Sequence, residues 1–126
     1  MLRAWIAAVC CGICLFTVGC GAQGAKSLTL DEALARQSLT KVLDTWKAGQ
    51  KSDTLKTTEP AITTNDWAWD QGYKLTAYKL TGGDRNDGAN LHCNVELTLV
   101  DAKNRPAKQT ATFVVGTSPV ITVFRQ

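Results

Sequence analysis

The sequence predicts an α+β domain in which one long amino-terminal helix packs on a four-stranded antiparallel sheet. Three observations predict it. A capped apolar stripe of helical period opens at residue 29, four stretches of strand character follow, and short Gly-, Asn-, Asp- and Pro-containing turns join them. The 126 residues are 44% hydrophobic and 20% charged, enough for one small core and too short for two. The 14 Lys and Arg are interspersed with the 11 Asp and Glu, so no basic stripe forms and no nucleic-acid partner is expected.

Ahead of the domain, residues 4–19 carry no charge, follow a single Arg3, and include Trp5, Ile6, Val9, Ile13, Leu15, Phe16 and Val18. This pattern predicts an export signal over residues 1–19, with an uncleaved membrane anchor as the alternative. The run Thr17-Val18-Gly19-Cys20 resembles the lipobox of bacterial lipoproteins, although Thr17 stands where that family usually has Leu. Cys10, Cys11 and Cys14 follow Val9, Cys10 and Ile13, whereas Cys20 alone follows a glycine that lets a peptidase approach the backbone. The resemblance implies cleavage before Cys20 and lipidation of that residue, which makes the lipid bilayer the first expected partner. Gly21 in place of Asp is, by the same resemblance, compatible with an outer-membrane destination. Residues 20–28 then form a lipidated tether of small and polar residues, in which the seven residues 21–27 reach at most ~25 Å when extended. Such a mature chain keeps Cys93 as its one free thiol, so its stability has to come from a core and not from a disulfide.

The single α+β domain covers residues 29–126. Thr29-Leu30-Asp31-Glu32 fits a capping box with Thr29 as the cap and Glu32 reaching back. Leu34, Leu39, Val42, Leu43 and Trp46 then form one apolar stripe, and Gly49 is placed to end the helix after about five turns. A helix lying on the lipid surface is the functional alternative, but Asp31, Glu32 and Asp44 offset its cations, and core packing is favoured. Residues 51–58 are polar with room for a short helical turn, which Pro60 stops. Residues 73–81 alternate as a strand whose pattern slips between Leu75, Ala77 and Tyr78, Leu80, predicting a bulge. Leu91, Cys93, Val95, Leu97 and Leu99 alternate with His92, Asn94, Glu96 and Thr98 in the clearest strand. Residues 107–116 and 120–125 supply the last two strands, with turns at residues 82–88 and 101–106.

One helix followed by four strands is similar in element order to cystatin-like and NTF2-like domains, in which a curved sheet grips a helix. That likeness implies a fold and little about function, because these architectures host enzymes, binding proteins and inert scaffolds.

Chemistry is sparse in the sequence. His92 is the sole histidine, and on a strand it points away from its neighbour Cys93, so the two form no thiol-imidazole dyad. Glu96 shares the face of His92 at about 13 Å, beyond direct contact. No catalytic residue is assigned. One His and one Cys do not make a zinc site, the acidic stretch of residues 84–88 lacks the spacing of a calcium loop, and nucleotide-binding and hydrolase motifs are missing, so no metal and no cofactor is expected. The best contact candidates lie in residues 65–73. If that segment is extended, Trp67 and Trp69 share a face and, with Tyr73, offer aromatic area flanked by Asp66 and Asp70 to a ligand or partner. The competing account puts one or both tryptophans over the core beside Trp46. The reading that follows is a membrane-tethered, non-enzymatic envelope lipoprotein binding a protein or an envelope component such as a glycan. The alternative is an enzyme or small-ligand carrier with a pocket between helix and sheet.

Overall fold

The computed structural model describes residues 29–126. Helix α1 (Glu32–Lys47) forms because Ala35, Ser38, Leu39, Val42, Leu43 and Trp46 recur at three- and four-residue intervals and are buried together. Its cap is Asp31 and not Thr29: the Asp31 carboxylate accepts the Leu34 N–H at 3.0 Å and places negative charge at the positive helix end. Glu32, expected to reach back to the cap, turns instead to Asn86, whose amide donates to it at 2.7 Å. At the other end Gly49, with φ +80°, follows the C-cap Ala48. Its N–H donates to the Trp46 carbonyl and that of Gln50 to the Thr45 carbonyl, a Schellman closure that only a residue tolerant of left-handed φ completes without strain. A 3₁₀ turn, Ser52–Thr57, follows in the polar stretch where a short helical turn was expected.

The sheet is larger than predicted and is mixed. The four expected strands are present as β2 (Lys74–Leu80), β4 (Asn90–Val100), β5 (Pro106–Gly116) and β6 (Ile121–Arg125). They pair antiparallel in the order β6-β5-β4-β2. Two additions correct the four-stranded antiparallel expectation. Strand β1 (Ile62–Asn65) joins β6 in parallel, and the two-residue β3 (Arg85–Asn86) pairs with β4 beyond the end of β2. Neither has a readable signal, because Ile62-Thr63-Thr64-Asn65 holds one apolar residue and β3 is as short as a turn. The bulge in β2 is present: the register with β4 jumps between Leu75 and Ala77, which keeps Leu75 and Tyr78 on the helix side and turns Ala77 outward.

One face of the sheet meets α1. Leu91, Cys93, Val95, Leu97 and Leu99 of β4, with Phe113 and Val115 of β5 and Val123 of β6, close on Leu39, Val42 and Leu43. The turn at residues 82–88 is exposed and is tied to α1 by an Asp84–Arg36 ion pair of 3.1 Å and by the Asn86–Glu32 hydrogen bond.

Candidate functional site

The carboxyl end of α1 and residues 66–73 build the site together. Asp66 starts a one-turn helix, α2 (Trp67–Asp70), by accepting the N–H groups of Ala68 at 2.8 Å and Trp69 at 3.2 Å on its carboxylate. Gly72, with φ +88°, ends it by a Schellman closure like that of α1: its N–H donates to the Trp69 carbonyl, and the Tyr73 N–H donates to that of Ala68. The segment is therefore helical where an extended run was expected. Two residues along a helix turn the chain through about 200°, so Trp67 and Trp69 face opposite ways and do not share a face.

Trp69 turns inward and stacks on Trp46, with ring centroids 5.4 Å apart and planes 11° from parallel. Both indole N–H groups are used within the fold: Trp46 donates to the Tyr73 carbonyl at 2.8 Å, and Trp69 to the Gln50 carbonyl at 3.0 Å. Trp67 turns outward and is 51% exposed, yet it is not loose. The Arg125 guanidinium lies 5.2 Å from its ring centroid, and Tyr73 meets it edge-on at 5.7 Å.

Asp66 lies beneath this platform and is buried, so it is not a surface contact. Its carboxylate, besides capping α2, faces Arg125 Nη1 at 3.4 Å, with side-chain exposures of 2% and 8% for the pair. The second guanidinium nitrogen donates to Gln109. Arg125, 59 residues from Asp66, has no local signal in the sequence. Asp70 and Trp67 are exposed, while Trp69 and Tyr73 are half-buried. An open groove of about 990 Å³ runs from the end of α1 past Trp69 and Tyr73 to the start of β2.

The groups with chemical potential elsewhere are engaged in the fold. His92 Nε2 lies 2.8 Å from Asp87 Oδ2, a partner the sequence reading missed in favour of the distant Glu96. That hydrogen bond, together with the N–H groups of Asn90 and Ala89 on the same carboxylate, pulls the Asp87 carboxyl down to about 2. Cys93 faces the core, where burial first and the charge of Asp84 second push its thiol up to about 11, far from a reactive thiolate at neutral pH. Among the described residues no group of three or more His, Cys, Asp or Glu is placed to hold a metal ion. No described helix is long and apolar enough to cross a membrane. The export signal expected over residues 1–19, the expected lipid acceptor Cys20 and the expected tether of residues 20–28 lie outside the described residues.

No protein-family model, no curated protein and no solved structure matches the chain.

Proposed function

We propose that the chain is a membrane-tethered lipoprotein of the cell envelope that binds a protein or envelope component and catalyses no reaction. Cys20, following Gly19 at the end of a charge-free stretch, supports the anchor. The observation that carries the binding function is Trp67, half exposed and nevertheless fixed between Arg125 and Tyr73. A large apolar ring kept in water and held in one orientation is a cost to the free protein that a partner recovers on docking, with little further entropy to lose.

The position of this ring on the domain agrees with a tether. The lipid would join ahead of residue 29, at the amino end of α1, whereas the aromatic groups gather at its carboxyl end, a helix length of about 24 Å away. The domain would then present Trp67 away from the bilayer. The filled interface of Leu39, Val42 and Leu43 with Val95 and Phe113 weighs against the enzyme or carrier with a pocket between helix and sheet. The curled mixed sheet around one helix is compatible with a cystatin-like or NTF2-like architecture, from which it differs in strand count.

Fractionation of cells expressing Cys20→Ser tests the anchor. The wild-type protein stays with membranes through a salt wash, and the variant leaves them. A variant that stays bound with its signal uncleaved would make residues 4–19 a spanning anchor.

A further inference from the structure

We infer that the groove at the carboxyl end of α1 is a docking site for an acidic, extended peptide segment of a partner protein, an assignment that rests on the binding function proposed above and narrows it. Apart from Arg3 and Lys26, the cations of the chain outnumber its acids by only one, so the domain as a whole is close to neutral. The groove is not. Lys47, Lys51 and Lys74 line it, all three are exposed, and none makes an ion pair among the described residues. Of its two acids, Asp53 is already paired with Lys56 at 3.2 Å, which leaves Asp70 against three lysines. Folding accounts for one of the three: Lys47 lies in the last turn of α1, where the helix dipole favours a cation. Lys51 precedes the 3₁₀ turn, an end where a cation gains nothing from the dipole, and Lys74 opens β2. Unpaired like charges gathered in one concavity repel one another, and an anionic partner removes that repulsion.

Topology narrows the anion to a peptide. The groove is open and about 990 Å³, room for several residues of chain, and it ends on the start of β2. That strand is an edge of the sheet, with β4 as its neighbour on one side and no described strand on the other. An edge offers main-chain N–H and C=O groups that an extended peptide can pair with and that a phosphate or a lipid headgroup uses poorly. Lys74 and Lys79 mark this edge. Their charge keeps a second copy's β2 away and attracts a segment with carboxylates at alternate positions. The bulge between Leu75 and Ala77 interrupts the ladder, so only a few residues engage it and charge carries much of the affinity. Trp67, which meets the groove residue Tyr73 edge-on, adds apolar area beside the lysines. With the lipid at the far end of α1, these groups face the aqueous phase and not the anchoring bilayer.

The test is a titration of the full-length protein, held in a zwitterionic detergent, with a fluorescent octapeptide of alternating Glu and Thr and with its Lys and Thr counterpart, read by anisotropy. The acidic peptide should bind saturably below about 1 mM in about 50 mM salt and weaken by about tenfold in about 500 mM salt, and the basic peptide should not bind. Lys51→Gln and Lys74→Gln should each weaken binding by about threefold, and the two combined with Lys47→Gln by about tenfold or more. Lys103→Gln removes the same charge from the turn between β4 and β5 and should leave binding unchanged. All four lysines are exposed, so the variants keep the fold. Failure of the acidic peptide to bind, or an equal loss from Lys103→Gln, overturns the assignment. Displacement of the peptide by tripolyphosphate or by dihexanoyl phosphatidylglycerol at matched charge does the same, since either would make the groove a general anion or lipid-headgroup site. Peptide binding that Trp67→Ala abolishes and the lysine variants leave intact would sink the groove alone and leave the binding function proposed above in place.

Discussion

The two ends of α1 are held by different physics. At the carboxyl end, Trp46 is buried under Trp69, and Arg125 and Asp66 are enclosed nearby. At the amino end the ties are polar and wet: the Asp31 N–H donates to Thr117, Glu32 accepts from Asn86, and Arg36 pairs with Asp84 with its side chain 48% exposed. Water competes for each of the latter and for few of the former, so equal numbers of contacts do not mean equal stability. The carboxyl end should resist salt and suffer from truncation, whereas the amino end should do the reverse.

The largest contrast is expected between two arginines. Arg125→Met leaves the Asp66 carboxylate buried without its cation and should cost about 3 kcal/mol. Arg36→Met should barely move the denaturation midpoint, because Arg36 and its acids can return to water. Equal losses in urea melts of the two variants would erase the distinction between the ends.

Next come the tryptophans of α2. Trp69→Ala removes the ring stacked on Trp46 and should cost about 2 kcal/mol, less than the full burial value because Trp69 is only half-buried. Trp67→Ala loses little beyond the Arg125 contact, which should be worth at most about 1 kcal/mol. Thermal melts with both variants unshifted would place both rings outside the core.

The sequence made the long elements legible and their ends less so. Leu39, Val42, Leu43 and Trp46 announce α1 by period alone, and Leu91 to Leu99 announce β4, because each pattern is repeated over enough residues to exclude the other period. Residues 66–72 were misleading for the opposite reason. Trp-Ala-Trp alternates like a strand over three residues, and the better signal was the pair of helix stops around it, Asp66 as cap and Gly72 as closure. The Asp66–Arg125 pair and the parallel β1–β6 ladder depend on contacts between residues 59 apart, which no local pattern encodes. His92 and Asp87 are five residues apart, but their meeting requires the loop to turn back at Gly88, with its φ of +96°.

A smaller effect tests the amino end. Asp31→Ala removes the cap of α1 and should cost about 1 kcal/mol, whereas Thr29→Ala should cost less if Asp31 is the cap that counts. The reverse ranking in denaturant melts would restore the capping box expected from Thr29 and Glu32.

The smallest effect is read in acid. Asp87 is held at about 2, below its ordinary 3.8, so its contribution is present above pH 4 and disappears as pH falls through 2. Glu32 is lowered in the same direction, first by the Asn86 hydrogen bond, and adds to the acid loss at this end. Asp87→Asn should flatten the fall of the melting temperature between about pH 4 and 2 relative to wild type. An unchanged acid slope would show that the His92–Asp87 contact does not persist in solution.

The orientation of the domain is the claim on which the proposed function turns. Membrane-bound protein in vesicles can be probed with an aqueous quencher and, separately, with lipids brominated in their chains, taking the difference in fluorescence between wild type and Trp67→Phe as the signal of Trp67. A domain tethered at the amino end of α1 and facing outward predicts that iodide quenches this signal and brominated lipid leaves it intact. Quenching by brominated lipid with protection from iodide would put Trp67 in the bilayer and contradict the account.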